Sequence, residues 1–137
     1  MKIIKTIVVF FLLLLPVIIF GNPQYVELND LAIIRGVGVS CGEEINLYFQ
    51  EIIPIKGDSG INYEYEYYQS DGNNLENAFH KLNLKTKKKL YLSKVKFLVS
   101  DCKKSDFILK QFDFKREDIH IYHVKNQVFE KVKDTKM

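Results

Sequence analysis

Tryptophan is missing from this 137-residue chain, proline occurs three times and cysteine only twice. The cysteines, Cys41 and Cys102, stand 61 positions apart with no C-x-x-C pair and no adjoining histidine, so zinc has no ligand set. Two unrelated thiols are one reading of them. A structural disulfide is the other, if the domain lies outside the cytoplasm. Net charge is also scarce. Taking Lys2 and Lys5, which precede the first apolar run, from a formal +3 leaves +1. A body so near neutrality lacks the basic face expected of a nucleic-acid binder, which excludes that partner class.

Reactive constellations are lacking too. Gly36-Val37-Gly38 has no third glycine, and Gly57-Asp58-Ser59-Gly60 has no following lysine, so neither completes a phosphate-binding fingerprint. No G-x-S-x-G elbow occurs. His120 and His123 fall three apart on a predicted strand and point to opposite faces, while His80 falls on a predicted helix. Glu43 and Glu44 sit in a turn, and Glu64 and Glu66 on the polar face of a strand, where solvated charge is the expectation. The residues therefore point to no catalytic, metal or cofactor site, and to a protein that is not an enzyme.

What is present is apolar material. Hydrophobic residues make up 47% of the chain and aromatics 13%, enough for the core of one domain. Part of it is a leader. Two lysines precede the uncharged run Thr6 to Phe20, in the pattern of a secretory signal. At 15 residues the run is shorter than the roughly 20 of a relaxed bilayer span. Lys2 and Lys5 keep its start in the cytoplasm, so the rest is expected to be exported. Of the small residues that signal peptidase needs, only Gly21 is there, after the bulky Ile19 and Phe20. Residues 1–21 thus read as a signal peptide or as an uncleaved anchor interrupted by Pro16, and residues 22–137 as the domain.

Within the domain, Leu31 to Ser40 is rich in β-branched residues and predicts a strand. Gly36 and Gly38, two apart, open one of its faces to a close neighbour. A turn at Cys41 to Glu44 leads to a second strand, Ile45 to Ile53. Residues 54–62 read as a loop by their Gly, Asp and Ser content. Tyr63 to Ser70 opens by alternating tyrosine with glutamate, a strand with an aromatic face that is expected to pack on the sheet.

Asn73 or Asn74 then caps a helix whose apolar face is Leu75, Ala78, Phe79 and Leu82. Lys85 to Lys89 closes it, a solvated helix end in preference to a lipid-headgroup contact. Leu90 to Ser100 reads as one strand, Ser105 to Phe112 as a helix capped by Ser105, and Asp118 to Val124 as the last strand. Gln127 to Lys133 fits a further short helix. The fold class is α+β: a mixed sheet with two main helices on one face, in the order β-β-β-α-β-α-β. There is no internal repeat.

Three blocks carry a resemblance. Glu27-Leu28-Asn29-Asp30-Leu31-Ala32 followed by the Gly36-Val37-Gly38 strand is similar to the opening of the spore germination C-subunit lipoproteins of the Ger(x)C type. Tyr68-Gln69-Ser70-Asp71-Gly72, the helix, and Lys88-Lys89-Leu90-Tyr91-Leu92-Ser93 resemble that family's helix and the strand after it. Phe112-Asp113-Phe114-Lys115-Arg116 through Val124 resembles its D-F-rich segment.

The resemblance places the lipidated cysteine of the family at Asn22, so Ile19-Phe20-Gly21-Asn22 is a degenerate lipobox without its thiol. Pro23 and Gln24 replace Trp-Asp, and Lys94 replaces a histidine. Family members carry three domains, of which this chain matches the first. The resemblance implies a non-enzymatic component of a nutrient-sensing receptor on the extracytoplasmic side of the spore inner membrane. Its partners there are integral membrane subunits. A freely secreted binding module and an inactive remnant of a germination lipoprotein stand as alternatives.

Overall fold

The computed structural model describes residues 1–20 and 30–136, with backbone alone for 17–20. A helix α1, Lys2–Phe20, runs through Pro16 without a break. Among the described residues, no helix is long and apolar enough to cross a membrane. Gly21 and Asn22 of the degenerate lipobox lie outside the described residues.

The domain starts with β1, Leu31–Cys41, which forms the middle of the sheet. Two long antiparallel strands follow, β2 (Ile45–Gly57) and β3 (Gly60–Gly72). Then come α2 (Leu75–Thr86), β4 (Lys89–Tyr91), β5 (Phe97–Ser100) and α3 (Asp106–Gln111). A 3-10 turn at Arg116–Asp118, β6 (His120–His123) and α4 (Val128–Asp134) complete the chain. The sheet runs β3-β2-β1-β5-β6, and β4 also pairs with β1. β1 is antiparallel to β2 and parallel to β4 and β5, and β5 is parallel to β6, so the sheet is mixed as expected.

A bulge gives β1 its two-faced character. Ile34 pairs with Glu51 and Gly36 with Gln50, which leaves Arg35 as an extra residue. The extra residue shifts the alternation by one: Ala32 and Ile34 face the core before it, Val37 and Val39 after it. On that face lie α2, through Leu75, Ala78 and Leu82, and α3, through Ile108 and Leu109. The Phe49 ring lies 6.1 Å from both Phe79 and Phe112 and joins the two helices.

Two expectations are corrected. The stretch 54–62 is not a loop: β2 and β3 stay paired to Gly57 and Gly60, around a turn at Asp58 and Ser59. Pro54 is tolerated because β1 pairs with β2 only as far as Glu51, leaving one edge of this segment unbonded to β1. The strand read as Leu90 to Ser100 is two strands. Between them the Val95 N–H turns back to the Leu92 carbonyl, and the Lys96 N–H donates to the carbonyl of the bulged Arg35. The break lets one segment follow β1 past its bulge.

The two main helices, α2 and α3, share one face as expected, and the further short helix does not join them. α4 covers the other side, where Val128 and Val132 meet Phe97, Val99 and Tyr48. That side is where the two glycines open the sheet. A methyl group at Gly38 would stand 2.6 Å from Val132 and 3.0 Å from Val128. Ser105 is the N-cap of α3 as expected, through its backbone carbonyl, which accepts from the Ile108 and Leu109 N–H groups; its side chain makes no cap bond.

Candidate functional site

The two ends of the sheet differ. At the near end, where β1 begins, β1 and β2 part company after the Ile34–Glu51 pair. Among the described residues, the β2–β3 hairpin continues past this point as an arm whose strands pair only with each other. At the far end the strands are fastened together. Cys41 closes β1 and joins Cys102, just past β5, in a disulfide with its Cα atoms 5.1 Å apart. Asp101 secures the same corner, accepting hydrogen bonds from the Ser40 hydroxyl and the Cys41 N–H, both at 2.7 Å. That carboxylate and burial raise the Tyr48 phenol above its ordinary pKa, burial being the larger cause. The Cys41, Asp101 and Cys102 side chains lie within 4.8 Å of one another, but sulfurs bonded to each other are not the thiolates that a metal binds.

The parting at the near end holds the principal buried charge. Glu51 is 1% exposed, because strand alternation puts it on the same side as Leu47 and Phe49. Its carboxylate is met on both oxygens: Lys88 donates at 2.9 Å and the Tyr68 hydroxyl at 2.6 Å. Tyr68 also lies 3.0 Å from Glu66. Burial first, then hydrogen bonds to the two carboxylates, push the Tyr68 phenol far above its ordinary range. The three groups are hydrogen-bonded to one another. A cavity of about 110 Å³ lies alongside, lined by Leu31, Ile33, Ile52, Ile53 and Pro54 as well as Glu51 and Lys88.

A larger, open groove of about 530 Å³ adjoins it. Ile33, Ile52 and Pro54 form its floor, Tyr63 and Tyr65 one wall, and Arg35 and Lys94 bring positive charge. The arm alternates cleanly. On the groove side its pairs are Ile52 with Tyr65, Pro54 with Tyr63 and Lys56 with Ile61. Glu64 and Glu66 stand on the other side. The aromatic face of β3 therefore changes along its length. Tyr67 packs edge-on to Phe129 of α4, Tyr65 lies under Lys136, and Tyr63 is 55% exposed.

Of the residues singled out by sequence, Cys41 and Cys102 come together at the far end. His80, His120 and His123 are exposed and on separate elements or opposite strand faces, and Glu43 and Glu44 are exposed in the turn after β1. Sequence reasoning missed Glu51 and the groove. The signal for Glu51 was present: a charge at the third inward position of a strand after Leu47 and Phe49 needs a buried partner. Nothing in the spacing pointed to Lys88.

The chain matches the family model described as the spore germination protein N-terminal domain over residues 24–101. That stretch runs from before β1 to the end of β5 and includes the bulge, the arm and Glu51. No curated protein and no solved structure matches the chain. The match covers more than half the chain and falls on two of the three blocks whose residues carried the resemblance. The chain belongs to the family of spore germination protein N-terminal domains.

Proposed function

We propose that this protein is a non-catalytic component of a spore germinant receptor, held on the extracytoplasmic side of the spore membrane and acting through contacts with integral membrane subunits. Family membership over residues 24–101 is the observation that carries the reading, and it ties the chain to spore germination. The apolar leader with Lys2 and Lys5 ahead of it supports the location. The closed Glu51–Lys88–Tyr68 set supports a structural use of the buried charge, since each group is already bonded to another.

The test is to fractionate spores that carry the tagged full chain and to weigh the recovered protein intact. Retention in the membrane fraction together with co-purification of multi-span subunits is the expected result. A chain lacking residues 1–21 and free of membranes points instead to the secreted module. Unchanged germination in every nutrient after deletion of the gene points to the inactive remnant.

A further inference from the structure

We propose that the groove side of the hairpin arm is a docking surface for anionic phospholipid, which lays the domain against the bilayer that its leader approaches. The inference rests on the tethered reading given above.

Three observations support it. First, the exposed apolar side chains of the arm lie on the groove side, with Ile61 67% and Tyr63 55% exposed. Tyrosine has an apolar ring and a polar tip, and suits the boundary between headgroups and acyl chains. Second, the charged residues that line the groove are basic, although the turn at the end of the arm carries Asp58. Lys56 shares their face of the arm, Lys94 lines the groove, and the Lys136 ammonium stands 5.5 Å from the Tyr65 ring centre. The carboxylates of β3 in this arm, Glu64 and Glu66, project from the other side. An apolar face flanked by lysines complements a negatively charged bilayer surface.

Third, the chain's own geometry keeps this surface close to the leader. Ten residues separate Phe20, at the end of α1, from Leu31, at the start of β1. A chain of that length spans at most about 35 Å. Ile33, two residues into β1, is part of the groove floor. The far end, with Phe107 and the disulfide, lies at the opposite end of the sheet.

The absence of tryptophan supplies the test. The full chain carrying Tyr63→Trp or Phe107→Trp as its one indole is reconstituted with vesicles of brominated lipid. The vesicles contain either phosphatidylglycerol or phosphatidylcholine alone. The expected result is co-sedimentation with both, and at least about twofold stronger quenching of the Tyr63→Trp signal in the phosphatidylglycerol vesicles. Phe107→Trp should stay unquenched. Adding Lys56→Glu, Lys94→Glu and Lys136→Glu should bring the Tyr63→Trp signal to the Phe107→Trp level with the same circular dichroism.

Co-sedimentation with the two indoles equally bright overturns the docking surface and leaves the tether standing. Equal quenching of Tyr63→Trp in both lipids overturns the recognition of anionic headgroups. A chain that stays in the supernatant with both vesicles removes the tether and the docking surface together.

Discussion

Lys88 reaches Glu51 from the segment just past α2, and the two partners are not equivalent. Lys88 is partly exposed whereas Glu51 is sealed, so Lys88→Met strands a buried carboxylate. Loss of about 3 kcal/mol is expected in urea unfolding. Glu51→Gln keeps an acceptor for Tyr68 and should cost less, about 1 kcal/mol. Tyr68 carries a pH signature. Its folded pKa is raised, so the stabilisation linked to its proton is complete below the unfolded value of about 10 and is lost as the pH climbs further. The stability difference between the native chain and Tyr68→Phe should therefore shrink in alkaline titration above about pH 10. A difference constant to pH 11 would separate the phenol from the network. At this scale the sequence was half legible. Alternation alone puts Glu51 inward, but the partner arrives from a distant segment through tertiary packing, which no local spacing encodes.

Helices and strands were legible where one signal spoke alone. In α2, Leu75, Ala78 and Leu82 are buried as the period of 3.6 requires, and Asn74 caps the helix by accepting the Asn77 N–H at 2.8 Å. Asn74→Ala should cost about 1 kcal/mol of stability in chemical denaturation. The glycine pair was equally readable: a bare strand face implies a close neighbour, which is the Phe97 ring at Gly36 and α4 at Gly38. Gly38→Ala drives a methyl into Val132 and Val128 and should cost about 1–3 kcal/mol. Weakened near-ultraviolet dichroism from the stacked Tyr48 and Phe129 rings should accompany it, since Phe129 of the displaced helix lies 5.1 Å from Tyr48 of β2. Where two signals compete, the reading fails. Gly57, Asp58, Ser59 and Gly60 suit a loop or a tight hairpin alike, and pairing across the turn decides for the hairpin. Leu90 to Ser100 carries strand residues throughout, yet the bulge in β1 obliges its neighbour to break.

The whole domain extends beyond the stretch that the family model matches. β6 and α4 lie past residue 101 and supply Val128 and Val132, which seal Phe97 and Val99, while α3 adds Ile108 and Leu109 to the main core. Each such side chain is worth about 1.5–3 kcal/mol when buried, and their sum rivals the entire stability of a small domain. A chain ending at residue 101 should thus show no cooperative unfolding transition by circular dichroism. The Cys41–Cys102 disulfide closes a loop of 61 residues, and in the chain-entropy account its loss costs about 4 kcal/mol. Thiol labelling of the purified protein should find no reactive cysteine; two labelled thiols would reject the bridge. Riveted at one margin and gaping at the other, the sheet is a clothes-peg in miniature. A pull on the chain ahead of β1 acts at the jaws and not at the spring. Such a pull meets the short β4 first, while the riveted margin holds its shape.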